Sequence, residues 1–407
     1  MNNNGFENHN SSTEELSRLT LNQMGNQGDT LSVLNDIEVN VFGGIPGEEV
    51  IAKIFRYKRR KKSFTSGIVT EVLKPSRYRV KTPCQYFGAC TGCQWQHIEY
   101  SHQLTLKRNA VKKELDKFDT LSNLTVSKTL PSPQHFNYRN HARFTIRQTD
   151  SLGYVNRITR KFVKIEECML MANQINETLN YLQGKCGETS QLSVRYGINT
   201  SDWLIQPTLK NTDITLKTGQ SYYHEKLLDK TFRVSSPSFF QVNTKQAEFM
   251  INLVGDKLNL DGSEILVDAY AGVGVFASLL SNQVRKVIAI EESQAAVKDA
   301  LFGLNDLKNI FYVEGKTEEV LKELEDQIDV IILDPPRTGC HPNAVNSVIE
   351  LKANKIAYVS CDPPSLARDL NMLVEGGYTI ESVSPIDMFP QTYHTECVAT
   401  LSLNYSS

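Results

Sequence analysis

The 407-residue chain has no run of about eighteen apolar residues, which excludes a membrane-spanning helix by the usual length criterion. Its first thirty residues are polar and asparagine-rich and lack the basic-then-apolar order of a secretory leader. We therefore expect a cytoplasmic protein with no membrane partner. Cysteine is sparse: eight residues in a chain of this length are too few for a disulfide scaffold, and in a reducing compartment grouped thiols point to metal binding or catalysis. Net charge is also nearly absent, at -2, and as a total it says little about partners.

The distribution of charge says more. Residues 1–50 carry eight acids against the single base Arg18, whereas residues 51–81 carry eleven bases, among them Lys58, Arg59, Arg60, Lys61 and Lys62, against the single acid Glu71. This basic segment is interleaved with Phe55, Tyr57, Phe64 and Tyr78, a combination suited to neutralising phosphates and stacking bases. A solvated hairpin with a basic tip is the plainer account of the same residues.

With 40% hydrophobic residues over this length, the chain has material for more than one core. Residues 1–30 have little to bury and are expected to be a disordered polar tail. Residues 31–82 show short β-rich runs such as "IEVNVF" and "EEVIAKIFRY" between glycine- and proline-containing turns, which read as a small β-barrel. Residues 83–235 mix strands ("ARFTIRQ", "LSVRYGI", "WLIQPTL") with helical stretches near 101–117 and 169–183, giving a central α+β domain. From residue 236 to 407 apolar runs alternate with helical stretches, "EILVDAY", "KVIAIEE", "DVIILDPP", "KIAYVSCD", the pattern of a Rossmann-like α/β domain with a parallel sheet.

The last domain holds most of the chemistry. In "DAYAGVGVFA" Gly272, Gly274 and Ala277 satisfy G-x-G-x-x-A between a strand and a helix. Such a turn is compatible with a dinucleotide, but Asp268 at the strand end would repel a pyrophosphate. The ammonium and sulfonium of S-adenosylmethionine suit that acid better. Glu291 ends the next strand, where an acid accepts hydrogen bonds from ribose hydroxyls. Asp334 in "DVIILDPPRTG" and Cys361 in "KIAYVSCDPP" leave the sheet at turns stiffened by prolines, which are expected to hold the chain extended. Ligands of open α/β sheets bind beyond the carboxyl ends of the strands, so Asp268, Glu291, Asp334 and Cys361 are expected to face one cleft. A buried packing thiol is the alternative for Cys361; its place at a strand end favours a nucleophile.

Upstream, Cys84, Cys90 and Cys93 with the remote Cys168 offer four thiolates, the complement of either a [4Fe-4S] cluster or a tetrahedral zinc, and their spacing does not separate the two.

Together, "VDAYAGVGVFA", "IILDPPRTGC", "YVSCDPPSLARDL" and "DMFPQTYHTECVATL" resemble the RNA uracil-5-methyltransferase family, which makes 5-methyluridine in ribosomal and transfer RNA with S-adenosylmethionine as methyl donor. "CQYFGACTGCQWQH" with Cys168 resembles that family's iron-sulfur motif, and the basic β-rich segment its RNA-binding TRAM domain. The likeness runs from about residue 40 to the end. It implies that Cys361 is the nucleophile that adds to uracil carbon 6, that Glu396 is the base that removes the carbon-5 proton, and that Gln241, Tyr270, Glu291 and Asp334 contact S-adenosylmethionine. It further implies a [4Fe-4S] cluster on Cys84, Cys90, Cys93 and Cys168, with Tyr86, Trp95 and His97 as nearby RNA contacts, and an RNA path near Arg139, Asn140 and Arg143. Val275 stands where related enzymes often carry a polar residue. Cys186, Cys340 and Cys397 are expected to be packing residues. The expected substrate is 23S ribosomal RNA, with transfer RNA as the alternative, and the expected state a monomer. Two rivals are a nucleobase amino-methyltransferase, which needs no thiol, and a non-catalytic RNA-binding iron-sulfur protein.

Overall fold

The computed structural model describes residues 15–59, 62–147, 150–303 and 307–404. The chain packs as two compact units. Residues up to Gln103 are joined by Gln391–Tyr393 in one; Leu104–Pro390 and the segment from His394 onward make the other.

The first unit is a β-barrel. Its strands are β1 (Glu15–Thr20), β2 (Gln23–Met24), β3 (Thr30–Leu34), β4 (Ile37–Phe42), β5 (Glu49–Arg59) and β6 (Lys62–Lys74), in the order β1-β5-β6-β4-β3-β2. The two terminal strands of this order follow one another in sequence, so a single bent segment borders both edges and the sheet curls closed. Two hydrogen bonds hold the bend: Ser32 Oγ to Thr20 O at 2.8 Å and Asn22 N to Leu31 O at 2.9 Å. Alternation along the strands buries Leu19, Val39, Val41, Val50, Ala52 and Ile54 inside. The expected disordered tail is therefore too long: residues 15–24 form strands because Leu19 and Leu21 supply apolar anchors within an otherwise polar stretch. Residues 1–14 lie outside the described residues, as do Arg60 and Lys61, and the side chains of residues 57–62 are not described either.

Helix α1 (Tyr100–Leu115) leads into the second unit. There β7 (His141–Arg147), β8 (Ser151–Val155), β9 (Phe162–Lys164), β10 (Gln191–Tyr196) and β11 (Trp203–Gln206) form an antiparallel sheet in the order β11-β10-β7-β8-β9, with α2 (Asn173–Leu182) between β9 and β10 in sequence. A hairpin, β12 (Tyr222–Leu227) and β13 (Lys230–Ser235), precedes α3 (Thr244–Leu258).

The remainder is doubly wound: β14 (Ile265–Ala269), α4 (Val275–Leu280), β15 (Lys286–Glu291), α5 (Gln294–Gly303), β16 (Ile310–Glu314), the short α6 (Thr317–Val320), β17 (Val330–Leu333), α7 (Pro342–Leu351), β18 (Lys355–Ser360), α8 (Pro363–Glu375), β19 (Tyr378–Ile386) and β20 (Glu396–Leu403). The sheet order is β16-β15-β14-β17-β18-β20-β19, with six strands running in one direction and β20 antiparallel between β18 and β19. The central strands are buried along their length, as the continuous apolar runs require of a sheet covered on both faces. Strand order reverses between β14 and β17, and there the sheet opens a crevice at its carboxyl edge. This is a doubly wound α/β architecture, in a chain that also carries an N-terminal barrel-like domain.

Candidate active site

A cleft of about 930 Å³ lies at that carboxyl edge, lined by Gln241, Tyr270, Glu291, Asp334, Cys361 and Glu396 together with residues of the intervening loops. The six side chains to which the family resemblance gives catalytic or methyl-donor roles thus line one cleft, whereas Asp268 does not.

Strand pairing explains how Cys361 and Glu396 meet. β18 and β20 are antiparallel, with Ser360 opposite Cys397. Extending this register by one residue sets Cys361 opposite Glu396, a separation of about 5 Å between Cβ atoms in such pairs. Both groups are perturbed. Burial pushes the Cys361 thiol up to about 12, with the carboxyls of Glu396 and Asp334 adding to the effect and Arg337 opposing it. Burial, reinforced by Asp334, also holds Glu396 well above the carboxylate range. Two negative charges side by side are thus disfavoured in the pair.

Asp334, half-buried where β17 ends, is pushed up to about 7 by burial. Glu291, at the end of β15, has a different environment: Oε2 accepts Gly272 N–H at 2.8 Å and Oε1 accepts Ser293 N–H at 2.7 Å. Each oxygen keeps a lone pair for a hydroxyl. The glycine turn between β14 and α4 is held closely. Tyr270 adopts φ +81°, a left-handed conformation that costs a non-glycine residue energy and occurs mostly at functional sites. Gly274 has φ +83°, and a Cβ there would sit 2.8 Å from the Tyr312 hydroxyl, which itself donates to Gly272 O at 3.1 Å. Val275 opens α4 and lines the cleft.

The structure departs from the sequence reading at several residues. Asp268 does not line the cleft. It is fully buried behind the turn, where Oδ2 accepts Ala277 N–H at 2.8 Å while Oδ1 has no partner. Burial pushes it up to about 7; the Ala277 N–H pulls the other way, and Asp334 and Glu291 raise it further. Its role is to fasten the turn that shapes the cleft. The prolines after Cys361 do not keep the chain extended either: Pro363 is the first residue of α8, Asp362 caps the helix through Ser365 N–H at 3.2 Å, and Cys361 precedes that cap. Cys361 thus stands one residue ahead of the α8 cap, where burial still favours its protonated thiol.

Trp95 and His97 are buried rather than available to RNA. The Trp95 indole donates to Gly28 O at 3.2 Å, and His97 Nε2 lies 3.1 Å from Gly44 O, so both rings fasten the cysteine loop to the barrel. Asn140 is likewise buried and donates to Gln241 O and Thr244 Oγ1, each at 3.1 Å, which fixes the segment carrying Gln241. Arg143 pairs with the Gln191 side chain at 2.7 Å. Cys186, Cys340 and Cys397 are buried, as packing residues should be.

Sequence reasoning missed Arg337, Phe389 and His394. Arg337 and Phe389 line the cleft, and Arg337 pairs with Asp362 at 3.2 Å. His394 stacks edge-on against Phe389 and is pushed down to about 4 by burial and by Arg337, Lys107, Arg139 and Arg157, so it is neutral at pH 7. The arginine in "DPPRTG" was the one visible signal among these.

Cys84, Cys90 and Cys93 are half-buried in the first unit, where Cys90 Sγ accepts Gly92 N–H at 3.4 Å and Cys93 Sγ accepts Gln96 Nε2–H at 3.1 Å. Cys168, also half-buried, belongs to the second. Among the described residues no three His, Cys, Asp or Glu side chains come together as a metal-holding group. No helix among them is long and apolar enough to cross a membrane.

A family model described as tRNA (uracil-5-)-methyltransferase matches residues 205–404. An uncharacterized RNA methyltransferase of Thermotoga maritima is 33% identical, covering 95% of this chain and 99% of the relative. Another, of Synechocystis sp., is 31% identical and covers 94% and 95%. Among solved structures, the tRNA (uracil-54, C5)-methyltransferase of Pyrococcus abyssi in complex with S-adenosyl-L-homocysteine matches with a TM-score of 0.74 at 25% identity, covering 94% of this chain and 99% of that one. These likenesses agree with the cleft and its fold, and the chain belongs to the RNA uracil-5-methyltransferase family, as an S-adenosylmethionine-dependent RNA methyltransferase.

Proposed function

We propose that the protein converts a specific uridine to 5-methyluridine by covalent catalysis. The supporting observation is the register that sets Glu396 across from Cys361 in a cleft also lined by Asp334. Carbon 5 of uracil is a weak nucleophile. Addition of the Cys361 sulfur to carbon 6 makes carbon 5 electron-rich, and the step is thereby divided in two. S-adenosylmethionine, when bound, supplies an electrophilic methyl group next to a positive sulfur. Gln241, Tyr270, Glu291 and Asp334 contact it, with Asp334 and Glu291 matching its cationic and hydroxyl-bearing parts. Burial raises the Glu396 carboxyl, which strengthens it as a base once ionised, and its carboxylate takes the carbon-5 proton so that Cys361 leaves. A stacked, paired base is out of reach of a thiol, so the uridine is unpaired or flipped out.

We propose 23S ribosomal RNA as the substrate, on the resemblance of the cysteine motif and barrel segment to enzymes of that class. Transfer RNA is the second reading, favoured by the Pyrococcus abyssi structure, whose enzyme acts on tRNA. We further propose that Cys84, Cys90, Cys93 and Cys168 hold a [4Fe-4S] cluster; the N–H donors to Cys90 and Cys93 sulfur suit thiolates.

Two experiments test the reading. RNA containing 5-fluorouridine, which has no carbon-5 proton to lose, should trap a covalent protein-RNA adduct in the presence of S-adenosylmethionine, and the Cys361→Ala variant should form none. Mass-spectrometric mapping of 5-methyluridine in cells with and without the gene identifies the RNA. Absence of the adduct from the wild-type protein refutes the covalent route.

A further inference from the structure

Lys107 projects from α1 into the interior of the second unit and is fully buried, as is Asp387. Its ammonium has three hydrogens and three acceptors: Asp387 Oδ1 at 2.5 Å, Phe389 O at 3.1 Å and His394 O at 2.7 Å. Asp387 directly follows β19, and His394 stands two residues before Glu396, the first residue of β20. One ammonium thus ties together the two ends of the connection that precedes the proposed base. Neighbouring groups hold the same segment: Tyr138 donates to Pro390 O and Asn243 to Met388 O, each at 3.1 Å. These neutral bonds each hold one point on the outgoing side. Lys107 alone among the three spans to the returning side.

A bare lysine and a bare carboxylate are both expensive to bury, and a pair of this kind is commonly no more stable than well-packed apolar residues. Its value then lies in geometry. Three fixed donors on one nitrogen specify where the chain re-enters the sheet, and with it where the Glu396 carboxyl and the Phe389 ring stand along the cleft.

We propose that Lys107 is a positioning residue for the proton-abstraction step: by closing the neck between Asp387 and His394, it holds Glu396 against carbon 5 of the Cys361-bound uridine. The inference rests on the covalent reading above. In the step concerned, the carbon-5–hydrogen bond breaks and its proton goes to the Glu396 carboxylate. The electron pair forms the carbon 5–carbon 6 double bond, and the carbon 6–sulfur bond breaks to return the Cys361 thiolate. A displaced Glu396 slows this step and leaves the earlier ones, so the methylated adduct builds up.

The test compares wild-type protein with Lys107→Met and with the double variant Lys107→Met/Asp387→Asn, which removes both charges so that no orphaned carboxylate is left to unfold the chain. Each is incubated with S-adenosylmethionine and deproteinised total RNA from cells lacking the gene. The reaction is read on denaturing gels for RNA-linked protein and by mass spectrometry for 5-methyluridine, with thermal melting measured in parallel. A misplacement of about 1 Å lowers rates on the order of a hundredfold. We expect product formation to fall by roughly that factor while the RNA-linked fraction rises and S-adenosylmethionine binding, measured by calorimetry, stays within about twofold of wild type. Unchanged turnover in the folded double variant overturns the proposal, as does a loss of product with no rise in linked protein. If 5-fluorouridine RNA traps no wild-type adduct, it is the covalent reading itself that fails.

Discussion

Affinity for the methyl donor should depend on pH through Asp334. Burial raises this carboxyl from 3.8 to about 7, a gap worth about 4 kcal/mol against the ionised form. Cys361 and Glu396 face the same space and are raised by burial as well, and neither has a positive form that could offset the Asp334 carboxylate. A cation seated beside Asp334 favours its carboxylate. Below pH 7, binding must therefore expel a proton, and affinity should fall by up to about tenfold for each unit of acidification, or about fifteenfold between pH 7, where the group is half protonated, and pH 5.5. Above pH 7 the dependence should level off. The sign for stability follows: an acid raised by folding contributes stability that is present at low pH and lost as pH rises through about 7. The cofactor-induced increase in melting temperature should accordingly be larger at pH 8 than at pH 5.5. Isothermal calorimetry in buffers of different protonation enthalpy counts the released protons directly, and Asp334→Asn should reduce both the slope and the count. Affinity that is flat from pH 5.5 to 7.5 with no proton release would refute the reasoning.

Other expectations are direct. Cys361→Ala should abolish 5-methyluridine while leaving S-adenosylmethionine affinity within about twofold; methylation that persists would instead indicate the thiol-free amino-methyltransferase route. Glu396→Gln should slow turnover by about 10² to 10⁴ and leave RNA covalently attached on denaturing gels. Gly274→Ala combines a left-handed φ with a 2.8 Å approach to the Tyr312 hydroxyl, and should weaken S-adenosylmethionine binding by about 1 to 3 kcal/mol, read by calorimetry. Protein purified without oxygen should contain iron and acid-labile sulfide, and Cys90→Ala should lose both; iron-free wild-type protein would remove the cluster proposal.

The doubly wound domain was legible because buried parallel strands leave continuous apolar runs, and "EILVDAY", "KVIAIEE", "DVIILDPP" and "KIAYVSCD" fall on β14, β15, β17 and β18. The same rule put Glu291, Asp334 and Cys361 at strand ends. Glu396 was different: its partnership with Cys361 depends on the antiparallel insertion of β20, a long-range pairing that no local period encodes, and only family resemblance pointed to it. Asp268 was misplaced because a strand-end acid reads alike whether it faces the crevice or turns back to a helix N–H. Trp95 and His97 sit in a loop without periodicity, where burial has no sequence signal. Strands β1 and β2 escaped because the buried anchors of that stretch, Leu19 in β1 and Leu21 between the two, are diluted by surrounding polar residues. The Lys107–Asp387 tie was invisible for the opposite reason, since a lysine and an aspartate far apart in sequence look like solvated charges.

The antiparallel β20 also sets how the site can fail. It lies between β18 and β19, inside the sheet rather than at its rim, and pairs with both neighbours. Because Glu396 opens this strand, loosening either seam would draw the carboxyl away from the thiol while the parallel strands stay joined. Heat or denaturant that frays this end of the sheet should therefore silence the protein before the rest of the domain melts.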